Sequence, residues 1–182
     1  MANTPGTLYV MVGLPGSGKT THARSLAAEK HALRLTPDEW MIPLFAIPGV
    51  GGKRDVLEGR FVWLAREALR QGINVVLDFG VWSKDERSAL KHMASTVGAE
   101  SRLIYLPIQP DEQWRRIAAR SAVSDGIATF AMTEQDLAEF RSKFQEPDEA
   151  ELQSSHPGPP PEGYASWEAW TVMRWPTSLP AQ

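Results

Sequence analysis

The chain has 182 residues, enough for one compact domain with a short appendage. Hydrophobic residues make up 42% of the chain and charged residues 23%, which allows a buried core and excludes wholesale disorder. The formal net charge of −3 gives no basic field for non-specific binding to nucleic acid. Because there are no cysteines, disulfides, thiolate metal sites and thiol nucleophiles are excluded.

No apolar stretch approaches the ~18 residues needed to cross a bilayer. The first apolar run has no Lys or Arg ahead of it and ends at Gly13, which is not the pattern of a secretory signal. We therefore expect a cytoplasmic protein with no membrane partner. The sequence gives no indication of an oligomeric state.

Short apolar runs alternate with helical patterns from Leu8 to Phe144. The patterns predict strands at 8–12, 33–36, 74–77 and 102–106. They predict helices at 19–30, 55–71, 111–121 and 133–144, and two more that begin at the caps Thr36 and Ser83. This alternation of strands and helices is typical of an α/β fold, in which helices cover both faces of a parallel sheet.

The composition changes after Phe144. Five of the fourteen prolines lie in 145–163, together with acidic and serine residues, which is typical of a linker. The last segment, 164–175, contains four aromatic residues. We expect this segment to form an edge strand or a patch that packs on the domain.

Residues 13–20, GLPGSGKT, match the phosphate-binding pattern G-x-x-x-x-G-K-[ST] in full. Such a loop turns its backbone N–H groups toward a phosphate, and Gly16 and Gly18 permit the necessary dihedral angles. The helix that follows adds unpaired N–H groups at its N-terminus. Lys19 is expected to reach the β- and γ-phosphates and Thr20 to ligate Mg²⁺. The predicted nucleotide contacts are Gly13, Pro15, Gly16, Ser17, Gly18, Lys19, Thr20 and Thr21.

Two acids follow predicted strands, at the edge where open α/β sheets bind ligands. Asp78 ends an apolar run, which is typical of an acid that holds Mg²⁺ directly or through water; the alternative is that it caps the next turn. Asp38 could accept the proton of an attacking hydroxyl. An acid in the first turn of a helix is also ordinary dipole chemistry, so the pattern leaves both roles open for Asp38.

The helix at 111–121 carries three arginines beside a stretch of small residues. Arg116 and Arg120 share a face, opposite the face that carries Trp114 and Ile117. An arginine fork matches phosphate oxygens, so these two could stabilise a transferring phosphate; the alternative is a solvated basic face.

Two tryptophans, Trp40 and Trp82, are candidates for stacking on a substrate ring. Single aromatic residues at helix or strand spacing are more often part of the core or its rim. Of the two, Trp82 is the stronger candidate because it comes just after the third predicted strand.

The stretches GLPGSGKTT, LTPDEW and VVLDFGVWSKDER, with an Arg-rich helix and GIATFAMTEQDLAEF, resemble a group of AAA-type P-loop kinases. This group is related to chloramphenicol phosphotransferase, the zeta toxins and the 5′-hydroxyl polynucleotide kinase domain. The resemblance implies a nucleotide-kinase-like P-loop NTPase fold, a three-layer sandwich with a parallel sheet of about five strands. It also implies a kinase domain over 1–146 with a helical lid at about 115–133, leaving 147–182 as a linker and an aromatic tail.

The same resemblance implies roles for individual residues. Asp38 would be the general base toward an acceptor hydroxyl, and the lid arginine would be Arg120, with Arg116 second. One position departs from the pattern, because polynucleotide kinases carry an arginine three residues after the acid and this chain has Met41. That difference counts against a polynucleotide 5′ end as the substrate.

These observations predict an ATP-dependent O-phosphotransferase that uses Mg²⁺ and acts on a small hydroxyl compound such as a nucleoside, sugar or antibiotic. GTP stays open as the donor because no guanine-specifying motif is present. The predicted catalytic residues are Lys19, Asp38, Arg116 and Arg120, the metal ligands Thr20 and Asp78, and the substrate contacts Asp38, Trp40, Asp78 and Trp82.

Two alternatives were weighed against this function. A nucleic-acid end kinase would need a basic track, but the chain has only short basic clusters on an acidic background, which counts against nucleic acid as a partner. A nucleotide-dependent switch without transfer would use the aromatic tail as a docking surface.

Overall fold

The computed structural model describes residues 4–46, 51–122, 132–154 and 156–179, with the backbone alone for 120–122. Four strands form one sheet: β1 (Thr7–Val12), β2 (Leu33–Leu35), β3 (Val75–Leu77) and β4 (Glu100–Tyr105). Their order is β2-β3-β1-β4, and every neighbouring pair is parallel. The prediction of a parallel α/β sheet is confirmed.

Eight helices lie in the described ranges: α1 (Lys19–Glu29), α2 (Pro37–Phe45), α3 (Lys53–Arg70), α4 (Lys84–Ser95), α5 (Pro110–Ala122), α6 (Glu134–Lys143), α7 (Glu149–Gln153) and α8 (Trp167–Arg174). Ser83 caps α4 as predicted, since its side chain accepts a hydrogen bond from the Glu86 backbone N–H. Thr36 precedes α2 without a side-chain cap bond. Among these helices, none is both long and apolar enough to cross a membrane.

The central strand, β1, separates two hydrophobic layers. Leu8, Val10 and Val12 belong to a core cluster that includes the buried faces of α3 and α4. Tyr9 and Met11 point to the opposite face and pack in a second cluster with side chains of α1. This alternation follows the two-residue period of a strand and produces a three-layer sandwich.

The segment after α6 is tied to α4 by a buried ion pair. The Arg87 guanidinium donates from Nε to Glu151 Oε1 at 2.5 Å and from Nη2 to Glu151 Oε2 at 2.9 Å. Arg87 Nη1 also donates to the Gln145 carbonyl, and Lys91 donates to the Glu151 carbonyl. Since removing one partner of a buried pair leaves an uncompensated charge, these bonds keep the segment in place.

The aromatic tail forms a helix, so the expectation of about five strands was one too many for the described part of the chain. Trp167 and Trp170 are three residues apart, which places them on one face of α8. They pack edge to face, and Trp175 packs against Trp170 with ring centroids 5.9 Å apart. All three belong to the same core cluster as α3 and α4.

Replacing Trp175 by alanine should lower the free energy of unfolding by about 3–5 kcal/mol, because this side chain is fully buried and its loss leaves a cavity. The Trp175 Nε1 atom also donates to Glu58 at 3.2 Å. Urea denaturation measures the change. Met173→Ala is the control, since Met173 is 56% exposed on α8, and equal losses in the two variants would contradict the packing described.

Candidate active site

A cavity of about 880 Å³ lies where the carboxyl ends of three strands meet. It is lined by the loop after β1, by Asp38 after β2 and by Asp78 after β3. This is the edge at which open parallel sheets bind ligands. Most of the remaining wall comes from the helices that surround this edge, through Arg54, Asp55, Glu58, Glu86, Arg116, Ile117, Asp136, Phe140 and Arg174.

The loop between β1 and α1 has the backbone curl expected from its sequence. Gly16 and Gly18 have φ angles of +82° and +94°, in the left-handed region where a Cβ would be strained. Gly18 is also the N-cap of α1, and no side chain caps this helix. The first turn of α1 therefore lies at the cavity wall with an N-terminus suited to an anion.

Six of the eight predicted nucleotide contacts line the cavity: Pro15, Gly16, Gly18, Lys19, Thr20 and Thr21. Gly13 and Ser17 are not part of its lining. Ser17 is buried, and within the described residues its hydroxyl has no hydrogen-bond partner. Lys19 Nζ donates to the Leu14 carbonyl at 2.8 Å, so the lysine is folded back along the loop.

Helix α5 supports this loop through a buried polar side chain. Gln113 Nε2 donates to the Pro15 carbonyl at 3.0 Å, and Gln113 Oε1 accepts from Arg141 of α6 at 2.7 Å. On the same helix Ile117 is buried, whereas Trp114 is 37% exposed. The inward face of α5 meets the Pro15 carbonyl, which the Gln113 amide satisfies.

Of the two arginines predicted as site residues on α5, the structure describes the side chain of Arg116 only. Arg116 lines the cavity, pairs with Glu112 at 2.6 Å and donates to the Gly16 carbonyl at 3.4 Å. The side chain of Arg120 lies outside the described residues, as does 123–131, which makes up much of the predicted lid. Arg115 contacts Glu112 and does not line the cavity.

Asp78 is held by two residues on neighbouring elements. Arg34 of β2 donates to Asp78 Oδ2 at 2.7 Å, and Thr20 Oγ1 donates to Asp78 Oδ1 at 3.5 Å. Burial raises the pKa of Asp78, and the Arg34 guanidinium opposes this shift. Arg34 could not be recognised from the sequence, because it lies on an edge strand with no distinguishing motif.

The pairing of Thr20 with Asp78 fits a magnesium site. Mg²⁺ is commonly bound by one or two protein oxygens, with phosphates and water completing its shell. A hydroxyl and a carboxylate at the start of α1 and the end of β3 provide such oxygens. No group of three or more acidic or histidine side chains that could hold a metal exists among the described residues.

Asp38 also lines the cavity and contacts Arg54 of α3. Arg54 Nη1 is 2.8 Å from Asp38 Oδ1, and Arg54 Nε is 3.0 Å from Glu58 Oε1. Asp38 is exposed to the cavity, with a side-chain accessibility of 67%, whereas Glu58 is buried. Burial raises the pKa of Glu58, and the neighbouring arginines lower it by a smaller amount.

The C-terminal helix contributes a side chain to the cavity. Arg174 contacts Glu86 Oε1 and Asp55 Oδ1, both at 2.7 Å, and lies 3.7 Å from Glu58. It therefore connects α8 with α3 and α4 at the cavity wall. The sequence analysis assigned this segment only to packing or docking, because nothing local marks Arg174 as a site residue.

The two tryptophans proposed as substrate contacts lie in different places. Trp82 lines the cavity and packs against Phe140, with ring centroids 5.0 Å apart. Trp40 does not line the cavity; it packs edge to face on Phe61, with centroids 5.2 Å apart. The cavity thus brings together Asp38, Asp78 and Trp82 with the loop and Arg116.

A family model described as an AAA domain matches residues 8–147. No curated protein matches the chain significantly. Among solved structures, a chain of the Pnkp1/Rnl/Hen1 RNA repair complex is similar, with a TM-score of 0.65 and 16% identity. The match covers 78% of this chain and 44% of that one, so this chain spans less than half of its length.

Two further structures are similar over most of their length. A gluconokinase from Sinorhizobium meliloti 1021 has a TM-score of 0.54 and 18% identity, over 82% of this chain and 81% of that one. Chaetomium thermophilum Kti12, in complex with ADP-AlF3, has a TM-score of 0.61 and 18% identity, over 92% and 95%. At these identities the likeness shows the fold alone, which is a P-loop NTPase fold.

Replacing Arg34 by methionine should lower the free energy of unfolding by on the order of 3 kcal/mol at about pH 8, because Asp78 would keep a buried charge without its partner. The loss should shrink toward about pH 5, since the pKa of Asp78 would rise further and the carboxyl would take up a proton. Denaturation at both pH values measures this.

The double variant R34M/D78N is the matched control for this prediction. It removes the buried charge together with its partner and should recover most of the lost stability. A loss that is independent of pH and unchanged by the second substitution would contradict the assignment.

Proposed function

Because the chain belongs to the AAA domain family and carries a complete phosphate-binding loop, we propose that it is an ATP-dependent O-phosphotransferase. It would transfer the γ-phosphate of ATP, or of GTP, to a hydroxyl of a small molecule. The observation that carries this proposal is a single cavity lined by the loop, by Asp78 beside Thr20, and by Asp38.

The side of the cavity at α1 would hold the triphosphate. The loop amides and the helix N-terminus favour an anion there, and Lys19 adds a positive charge. Thr20 and Asp78 would hold Mg²⁺, which neutralises charge on the phosphate oxygens when bound. Arg116 lies beside the loop, where its guanidinium would stabilise charge on the transferring group.

The opposite side would position the acceptor. Asp38 would accept the proton of the acceptor hydroxyl while the oxygen of that hydroxyl forms a bond to the γ-phosphorus. The bond from that phosphorus to the bridging oxygen breaks, and the nucleoside diphosphate leaves with the electron pair. Arg54 contacts one oxygen of Asp38 and so fixes the orientation of the carboxylate. Catalysis would consist mainly of positioning and charge stabilisation.

We also propose a domain boundary after residue 146, with the segment beyond it forming part of the active site. The kinase domain would span 1–146, with its lid at about 115–133. Residues 147–182 would complete the active site, because Arg174 lines the cavity. Arg120 stays the proposed lid arginine on the strength of the resemblance.

A second candidate function is transfer to the 5′-hydroxyl of a polynucleotide. The likeness to a chain of an RNA repair complex favours this function. Met41 stands where the resemblance expects an arginine, but Arg54 of α3 places a guanidinium beside Asp38. Binding of an oligonucleotide that weakens steeply with salt would support it.

Asp38→Asn should leave ATP affinity unchanged and lower kcat by about 10²-fold or more, because the amide cannot accept the hydroxyl proton. Calorimetry gives the affinity, and ³¹P NMR follows transfer to a pool of nucleosides, sugars and antibiotics. Asp111→Asn is the control, since Asp111 is an exposed acid outside the cavity lining. Unchanged kcat in the Asp38 variant would rule out the base.

A further inference from the structure

The proposed function divides the cavity into two ends, and one of them has no assigned ligand chemistry. The end at α1 would be filled by the triphosphate. The other end, which we call the acceptor end, is lined by charged side chains of α2, α3, α4, α6 and α8. Its charge indicates which class of hydroxyl compound it can accept.

The acceptor end carries an excess of negative charge. Its carboxylates are Asp38, Asp55, Glu58, Glu86 and Asp136. Its cations among the residues that the structure describes are two arginines, Arg54 and Arg174. Five carboxylates against two guanidinium groups leave a formal excess of three negative charges. Burial raises the pKa of Glu58, but even with Glu58 protonated the excess is two. Hydrogen bonds from Thr133 lower the pKa of Asp136, which keeps that carboxylate ionised.

Both arginines are engaged by carboxylates of the wall. Arg54 lies between Asp38 and Glu58, at 2.8 and 3.0 Å. Arg174 contacts Glu86 and Asp55 at 2.7 Å each. An anionic group on the acceptor would have to compete with these pairs and would lie beside carboxylates. Like charges at short distance repel strongly where water is partly excluded, so such an acceptor is disfavoured.

Aromatic rings at the same end provide an independent indication. Trp82 and Phe140 pack against each other and line the cavity. Phe140 lies one helical turn after Asp136 on α6, and the Trp82 backbone N–H donates to Glu86 at 2.7 Å. Ring faces beside carboxylates are a combination that attracts organic cations.

We infer that the acceptor is a hydroxyl compound that also carries a positively charged amino group, such as an amino sugar or an amino alcohol. The hydroxyl would lie at Asp38 and the ammonium group among the remaining carboxylates, near the rings of Trp82 and Phe140. This inference rests on the proposed function and narrows its substrate class. It sets the chain apart from a kinase for sugar acids or for nucleic acid, although its fold resembles both.

The test compares three pools of hydroxyl compounds with matched carbon skeletons, each incubated with the full chain, ATP and Mg²⁺. One pool contains amino sugars and amino alcohols, the second their neutral hydroxyl counterparts, and the third the corresponding sugar acids and oligonucleotides with a 5′-hydroxyl. Phosphorylated products are detected by mass shift. The expected result is product from the amino pool, with kcat/KM at least about 10-fold above the neutral counterpart.

The outcomes separate the inference from the proposed function. Product from the acidic pool, or equal kcat/KM for amino and neutral compounds, overturns the inference and leaves the phosphotransferase standing. Product from none of the pools overturns both. For the amino acceptor, KM should also rise with salt between about 0.05 M and about 0.5 M NaCl, because screening weakens charge attraction, and a constant KM contradicts the inference.

A pair of variants tests where the cation binds. Asp55→Asn should raise KM for the amino acceptor by about 10-fold and leave KM for ATP unchanged, since Asp55 lines the cavity from α3 and contacts Arg174 of α8. Asp85→Asn is the matched control, because Asp85 lies in the first turn of α4 and does not line the cavity. Equal KM values for the acceptor in the two variants overturn the assignment.

Discussion

The left-handed turns at Gly16 and Gly18 are the constraint on which the rest of the site depends. They curl the chain between β1 and α1 and place the start of the helix at the cavity wall. The curl exposes loop carbonyls on its outer side, which need donors. Gln113 supplies one of these donors from α5, and Arg141 of α6 holds Gln113 in turn. The loop geometry thus determines how two later helices pack.

A second constraint is that the acidic side chains buried around the cavity need positively charged partners. Asp78, Glu58 and Glu86 are buried acids, and each is contacted by an arginine from another element. Burying ion pairs is costly and adds little net stability compared with apolar packing. Their presence at one cavity is better explained by a need for fixed charges there. Arg174 extends this network to α8, which makes the C-terminal helix part of the wall.

The local features of the fold and site could be predicted from the sequence, because their signals lie within a few residues. Examples of such local features are the phosphate-binding loop, the strand β3 that ends before Asp78, and the cap at Ser83. The pairs of Arg34 with Asp78, Arg54 with Asp38 and Arg174 with Glu86 could not be predicted, since their members lie 44, 16 and 88 residues apart in the chain and no motif links them. In the tail, the tryptophans predict packing, and the spacing of three residues between Trp167 and Trp170 is that of the helix which the structure shows.

The central claim is that the loop binds a triphosphate through its amides and Lys19. Calorimetric titration of the full chain with Mg²⁺ and ATP tests it most directly, with Lys19→Ala compared against Lys30→Ala, a lysine that pairs with Glu29 on the surface. We expect binding by the wild type and the Lys30 variant, and affinity lower by at least about 10-fold in the Lys19 variant, since one charge-assisted contact is lost. Equal affinity in all three proteins, or no binding by the wild type, would contradict it.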